Sequence, residues 1–84
     1  EGPERGPWIV GRDPECEVHL PGDAFVSGKH AQIERHGGAH RVRDLFSKNG
    51  TLLDWERLPA GEPRPLENGQ VVGIGKTLLL FRDR

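Results

Sequence analysis

The chain has 84 residues, a formal net charge of −1 and 33% hydrophobic residues, which fits one small domain with a thin core. A duplex nucleic-acid binder carries a basic excess that this chain lacks, and no apolar stretch approaches the ~20 residues that span a bilayer, so no nucleic-acid partner and no direct membrane insertion are expected. Glycine (12) and proline (7) make up over a fifth of the chain, which argues for many short strands and turns and against long helices.

Residues 1–7 are polar and rich in Gly and Pro, and read as a linker or tail ahead of a domain at 8–84. Trp8, Ile9 and Val10 form a short strand that stops at Gly11, and Asp13 before Pro14 favours a turn. Residues 17–20 alternate with period two, so Val18 and Leu20 share the buried face. Residues 30–35 alternate again with Ala31 and Ile33 inward, and Gly37-Gly38 joins this strand to one at 40–43 as a hairpin. Leu45 and Phe46 close that second strand. Thr51 to Leu53 is the next strand, pairing with Arg57 and Leu58 around a widened turn at Asp54-Trp55-Glu56. Residues 59–65 read as a proline-rich loop and Asn68-Gly69 as a turn. Residues 70–72 and 77–82 finish the sheet, split by Gly73 and Gly75. Residues 78–81 are apolar on both faces, which predicts a central or doubly covered strand. About nine or ten short strands with frequent turns imply a β-sandwich or small barrel.

Three polar clusters interrupt this scaffold: Gly11-Arg12, Ser27-Gly28-Lys29-His30 and Ser47-Lys48-Asn49-Gly50. Each falls where a turn is expected. They bring cations, hydroxyl donors and a side-chain amide, the groups that hold an anion and an adjoining peptide backbone. Arginine donates a planar fork and stays charged, which suits a phosphate with its three acceptor oxygens. An amide both donates and accepts, so it can clamp a peptide bond.

In order and spacing, the text WIVGRDPECEVHL, VSGKHAQI, DLFSKNGTLL and PLENGQVVGIG resembles the forkhead-associated (FHA) domain. The resemblance runs over roughly residues 8–81. It implies an all-β, FHA-like sandwich of about ten or eleven short strands, with loops at one end that bind phosphothreonine peptides. By the same resemblance, Arg12 and Ser27 contact the phosphate, with Lys29 and Lys48 as further phosphate-binding residues. Asn49 bonds the ligand backbone. His30 is structural and ties the loops together, and Gly11 and Gly50 let them bend. The expected partner is a phosphothreonine-containing protein or peptide in intracellular, cytoplasmic signalling. No cofactor, metal or catalytic residue is implied.

Three departures from the family pattern stand out. The strand that precedes the one ending in Gly-Arg is expected to be missing, clipped or irregular, since only residues 1–7 are available for it. A bare sheet edge there favours self-association, so a monomer or weak dimer is expected. Asp54-Trp55 stands where an Asn-Gly turn is common, and Trp55 is expected away from the phosphate end. Gln70 follows Gly69 where the family usually has Asp. The alternative function is an FHA-like scaffold that associates without phosphate.

Ser27, His30 and Asp44 supply the residue types of a hydrolase triad, but no strand–nucleophile–helix elbow surrounds them. His19, His36 and His40 lack metal-ligand spacing and read as surface residues. Cys16, the sole cysteine, can form no intrachain disulfide, fits a reducing compartment and reads as a half-buried small residue.

Overall fold

A computed structural model describes residues 6–82. Nine strands run through them: β1 (Trp8–Gly11), β2 (Val18–His19), β3 (Ala31–His36), β4 (Ala39–Asp44), β5 (Thr51–Leu53), β6 (Glu56–Arg57), β7 (Arg64–Leu66), β8 (Val71–Ile74) and β9 (Thr77–Leu80). They form two sheets, ordered β2-β1-β3-β4-β7 and β6-β5-β8-β9. Pairing is antiparallel except between β1 and β2. The core lies between the sheets. Val10, Ala31, Val42 and Leu66 come from the first, Val72 and Ile74 from the second, and Val26 and Leu58 from connecting segments. The period-two reading of β3 holds, with Ala31 buried and Ile33 packed on the core.

The registers set the loops side by side. Val10 pairs with Ala31 and Ala31 with Asp44, so the chain leaving β1, entering β3 and leaving β4 emerges at one end. Thr51 pairs with Ile74, which brings the 45–50 loop and the turn at Gly75-Lys76 to that same end. The turns at 37–38, 54–55 and 68–69 lie at the other, including Trp55 as expected.

Several elements differ from the sequence reading. Residues 78–81 are not a central strand: β9 is an edge strand among the described residues, and Leu78 and Leu80 are 57% and 55% exposed. A continuous apolar run signals burial on both faces only when a neighbour covers the second one. The turn at Asp54-Trp55 is tight, since Leu53 pairs with Glu56 and both turn residues have positive φ (48° and 76°). The proline-rich stretch contributes a strand: Pro65 sits in β7, an edge strand, where a missing N–H costs no ladder bond. Gly73 lies inside β8, where a Cβ would come within 3.3 Å of Leu52. Phe46 is outside β4 and 77% exposed. Cys16 is buried, and its thiol donates to Gly28 O at 3.3 Å. Burial, then the nearby Asp13 charge, pushes its pKa up, so it is a poor thiolate. The expected tail and irregular first strand fall largely on residues 1–5, outside the described residues; Gly6 and Pro7 are exposed and not in a strand.

Candidate functional site

The loop end is held by buried polar groups. His30 is fully buried. Its Nδ1 accepts the Ser27 N–H at 3.0 Å, so that nitrogen carries no proton and Nε2 carries it. Nε2 then donates to Gly50 O at 2.8 Å. One imidazole thereby ties the loop before β3 to the loop before β5. The backbone extends the tie, with His30 N–H donating to Val10 O and Leu45 N–H donating to His30 O. Gly11 packs so closely that a Cβ would lie 2.0 Å from Gly28 O. Gly50 has φ +85°, a left-handed backbone that glycine adopts without steric cost.

Asp44 organises the third loop. Its carboxylate is buried and accepts the Ser47 N–H at 3.1 Å, the Ser47 hydroxyl at 2.5 Å and the Thr51 hydroxyl at 2.7 Å. Ser47 Oγ in turn accepts the Gly50 N–H. With Asp44 bound to Ser47 and Thr51, and His30 bound to backbone groups, Ser27, His30 and Asp44 do not form a relay.

On this frame, Arg12, Ser27, Lys48 and Asn49 line one groove of about 410 Å³, together with Asp13, Ala24, Phe25 and neighbouring backbone. Ser27 Oγ accepts the Lys48 N–H at 3.0 Å, which leaves its own proton to donate. Arg12 Nη1 reaches Ala24 O at 3.4 Å, leaving most of the guanidinium donors to an anion. Asn49 Nδ2 donates to Phe25 O at 2.9 Å, so its carbonyl and second N–H remain to meet a peptide bond.

Lys29 departs from this group. Its ammonium pairs with Glu15 at 3.2 Å and Asp13 at 3.6 Å, and it does not line the groove. The hydrogen bond and charge of Glu15, then the charge of Asp13, raise its pKa. The acidic turn after Arg12 pairs with this cation, so in this structure Lys29 braces the loop.

Two further residues at this end have bracing roles that the sequence analysis did not assign: Asp23, and Asp44, which entered there only among the residue types of a triad. Asp23 accepts from Phe25 N–H at 2.9 Å, Lys76 N–H at 2.6 Å and the Thr77 hydroxyl at 2.8 Å. It thus pins the β8–β9 turn to the loop before β3. Burial pushes its pKa up, but the Thr77 hydroxyl and the Phe25 and Lys76 N–H donors outweigh this and leave the carboxyl below its ordinary value. Asp44 had a readable signal, an Asp three residues before a Ser after a strand. The bond of Asp23 to the Phe25 N–H is local, but its bonds to Lys76 and Thr77 had no signal, because those partners lie 53 and 54 positions away. Among the described residues, no group of three or more His, Cys, Asp or Glu side chains is placed to hold a metal ion, and no helix is long and apolar enough to cross a membrane.

Residues 8–75 match the family model described as FHA domain. The glycogen accumulation regulator GarA of Mycolicibacterium smegmatis is 38% identical over 72 residues, covering 86% of this chain and 43% of that protein. The chain thus spans less than two thirds of the curated relatives it first matches. Among solved structures, the FHA domain of CT664 from Chlamydia trachomatis superposes with a TM-score of 0.86 at 32% identity, over 94% of this chain and 77% of that one. The N-terminal FHA domain of Rad53p from Saccharomyces cerevisiae, in complex with a phosphothreonine peptide, superposes with a TM-score of 0.78 at 29% identity, over 89% and 60%.

Proposed function

The chain belongs to the FHA family, and we propose that its loop end binds phosphothreonine peptides, with Arg12, the Ser27 hydroxyl and Lys48 on the phosphate and Asn49 on the peptide backbone. One observation carries these roles: the unspent donors of four residues from three separate loops line a single groove. Charge-assisted hydrogen bonds contribute about 1.5–3 kcal/mol each. Two or three of them, less the cost of ordering a flexible peptide, suit micromolar affinity, about −8 kcal/mol.

The domain recognises and does not catalyse; it serves as the binding module of a larger cytoplasmic signalling protein, with residues 1–7 as a linker and 8–84 as the domain. Titrating a library of phosphothreonine peptides beside their unphosphorylated twins tests this. At least one phosphorylated member is expected to bind and its twin not, and binding equal for each pair, or none, would refute it. Arg12→Ala should weaken the selected peptide by about 10- to 100-fold, the worth of one charge-assisted contact. Because Arg12 is exposed, its melting temperature should stay near that of the wild type.

A second reading, association without phosphate, rests on β9. The other three edges of the described sheets are blunted: β2 and β6 are two residues long, β6 is charged, and β7 carries Pro65. β9 is four residues of Thr and Leu with two leucines exposed. Sedimentation should show weak self-association that Leu78→Lys with Leu80→Lys removes. An unchanged profile would leave the phosphate site as the sole interaction surface.

A further inference from the structure

Lys29 stands one carboxylate away from the phosphate groove. It follows Gly28, which lines the groove, and its ammonium lies 3.6 Å from Asp13, which lines it too. Its shorter pairing, at 3.2 Å, is to Glu15, which does not line the groove. The backbone fixes the turn that carries both carboxylates. Asp13 N–H donates to Gly28 O at 3.1 Å, Cys16 N–H donates to Asp13 O at 3.0 Å, and the Cys16 thiol donates to Gly28 O at 3.3 Å. The turn is thereby sewn to the loop of Ser27 and Lys29. The packing is close, since a Cβ on Gly28 would lie 2.8 Å from Asp13 Oδ1. Among the described residues, Arg12 and Lys48 have no carboxylate within 4.0 Å, so at this groove the restraint falls on Lys29.

We propose that Glu15 sets the affinity of the phosphate site by holding Lys29 off the ligand, and that Lys29 turns to the phosphate once Glu15 is neutralised. The side chain can make that move, because lysine is a point charge on a flexible four-carbon stem with rotatable donors. The balance is close. A phosphorylated threonine carries about −1.5 to −2 charges, and Asp13 and Glu15 carry a like charge between them. Removing the nearer carboxylate halves the claim of the turn on the ammonium and leaves that of the phosphate intact. Glu15 is then a positioning residue that limits binding without touching the ligand. The inference rests on the phosphothreonine reading above and adds a restraint on affinity to it.

The test is a double-substitution cycle read by isothermal titration. The probe is the phosphothreonine peptide selected from the library, beside its unphosphorylated twin. It is titrated into the wild type, Glu15→Gln, Lys29→Ala and the double variant. The Lys29 and Glu15 side chains are 55% and 64% exposed, so both substitutions should leave the domain folded. Glu15→Gln should tighten the phosphorylated peptide about two- to fivefold, the size of an exposed charge pair, and leave the twin unbound. In the Lys29→Ala background the same substitution should leave affinity unchanged. No gain in Glu15→Gln, or an equal gain without Lys29, overturns the inference alone; the second result is what a diffuse charge effect gives. A wild type that binds no member of the library overturns the phosphothreonine reading and the inference with it.

Discussion

His30 shows how a single side chain sets the geometry of the site. Its ring satisfies one donor and one acceptor from two loops, in a place with no access to water. His30→Ala leaves a cavity and strands both groups, so a loss of about 2–4 kcal/mol is expected in denaturant unfolding. Peptide affinity should fall as well, since Ser27 and Asn49 lose their common brace. Asp23 makes a pH-dependent link of the same kind. Its folded pKa is depressed, so it stabilises the fold above the unfolded aspartate value of about 3.9, and that contribution is lost as pH falls through the lower folded value. The Phe25 and Lys76 amide signals should therefore titrate together below pH ~4, and Asp23→Asn should abolish the shared transition. The bracing role of His30 was legible because it stands in a short motif with its loop. The bracing role of Asp23 was illegible because two of its three partners, Lys76 and Thr77, come from the far end of the chain. Lys29 was legible as a cation, but its choice between phosphate and Glu15 depends on where the 12–17 turn folds back.

At the scale of elements, the strands announced themselves by alternation and turn residues, and their order did not. Periodicity marks a strand's faces and says nothing of its neighbours, so the apolar run in β9 read as central when, among the described residues, it lies on an edge. The β5–β6 turn is a local misfit of another kind. Asp54 suits a left-handed backbone, and Trp55 does not, yet the register of Leu53 with Glu56 forces both residues into it. With its side chain 65% exposed, Trp55 recovers little burial in exchange. Trp55→Gly should stabilise the domain by about 1 kcal/mol. That corresponds to a rise of roughly 4–8 °C in melting temperature for a domain of this size. A lower melting temperature would mean that Trp55 packs on something of its own.

For the molecule as a whole, the two sheets act as a stand that delivers three loops and one turn to the same end. The strand pairings Val10–Ala31–Asp44 and Thr51–Ile74 accomplish this, and none of the four segments needs a regular structure of its own. Near-neutral net charge is consistent with this design, because the recognition proposed above relies on a few placed cations and not on a basic field. The most direct test of phosphate-dependent recognition maps amide shifts of the chain on titration with a phosphothreonine peptide selected from the library and with its unphosphorylated twin. The account predicts saturable shifts centred on Arg12, Ser27, Lys48 and Asn49 with the phosphorylated peptide only, lost in Arg12→Ala. Equal shifts from the twin, or shifts confined to Leu78 and Leu80 on β9, would contradict it.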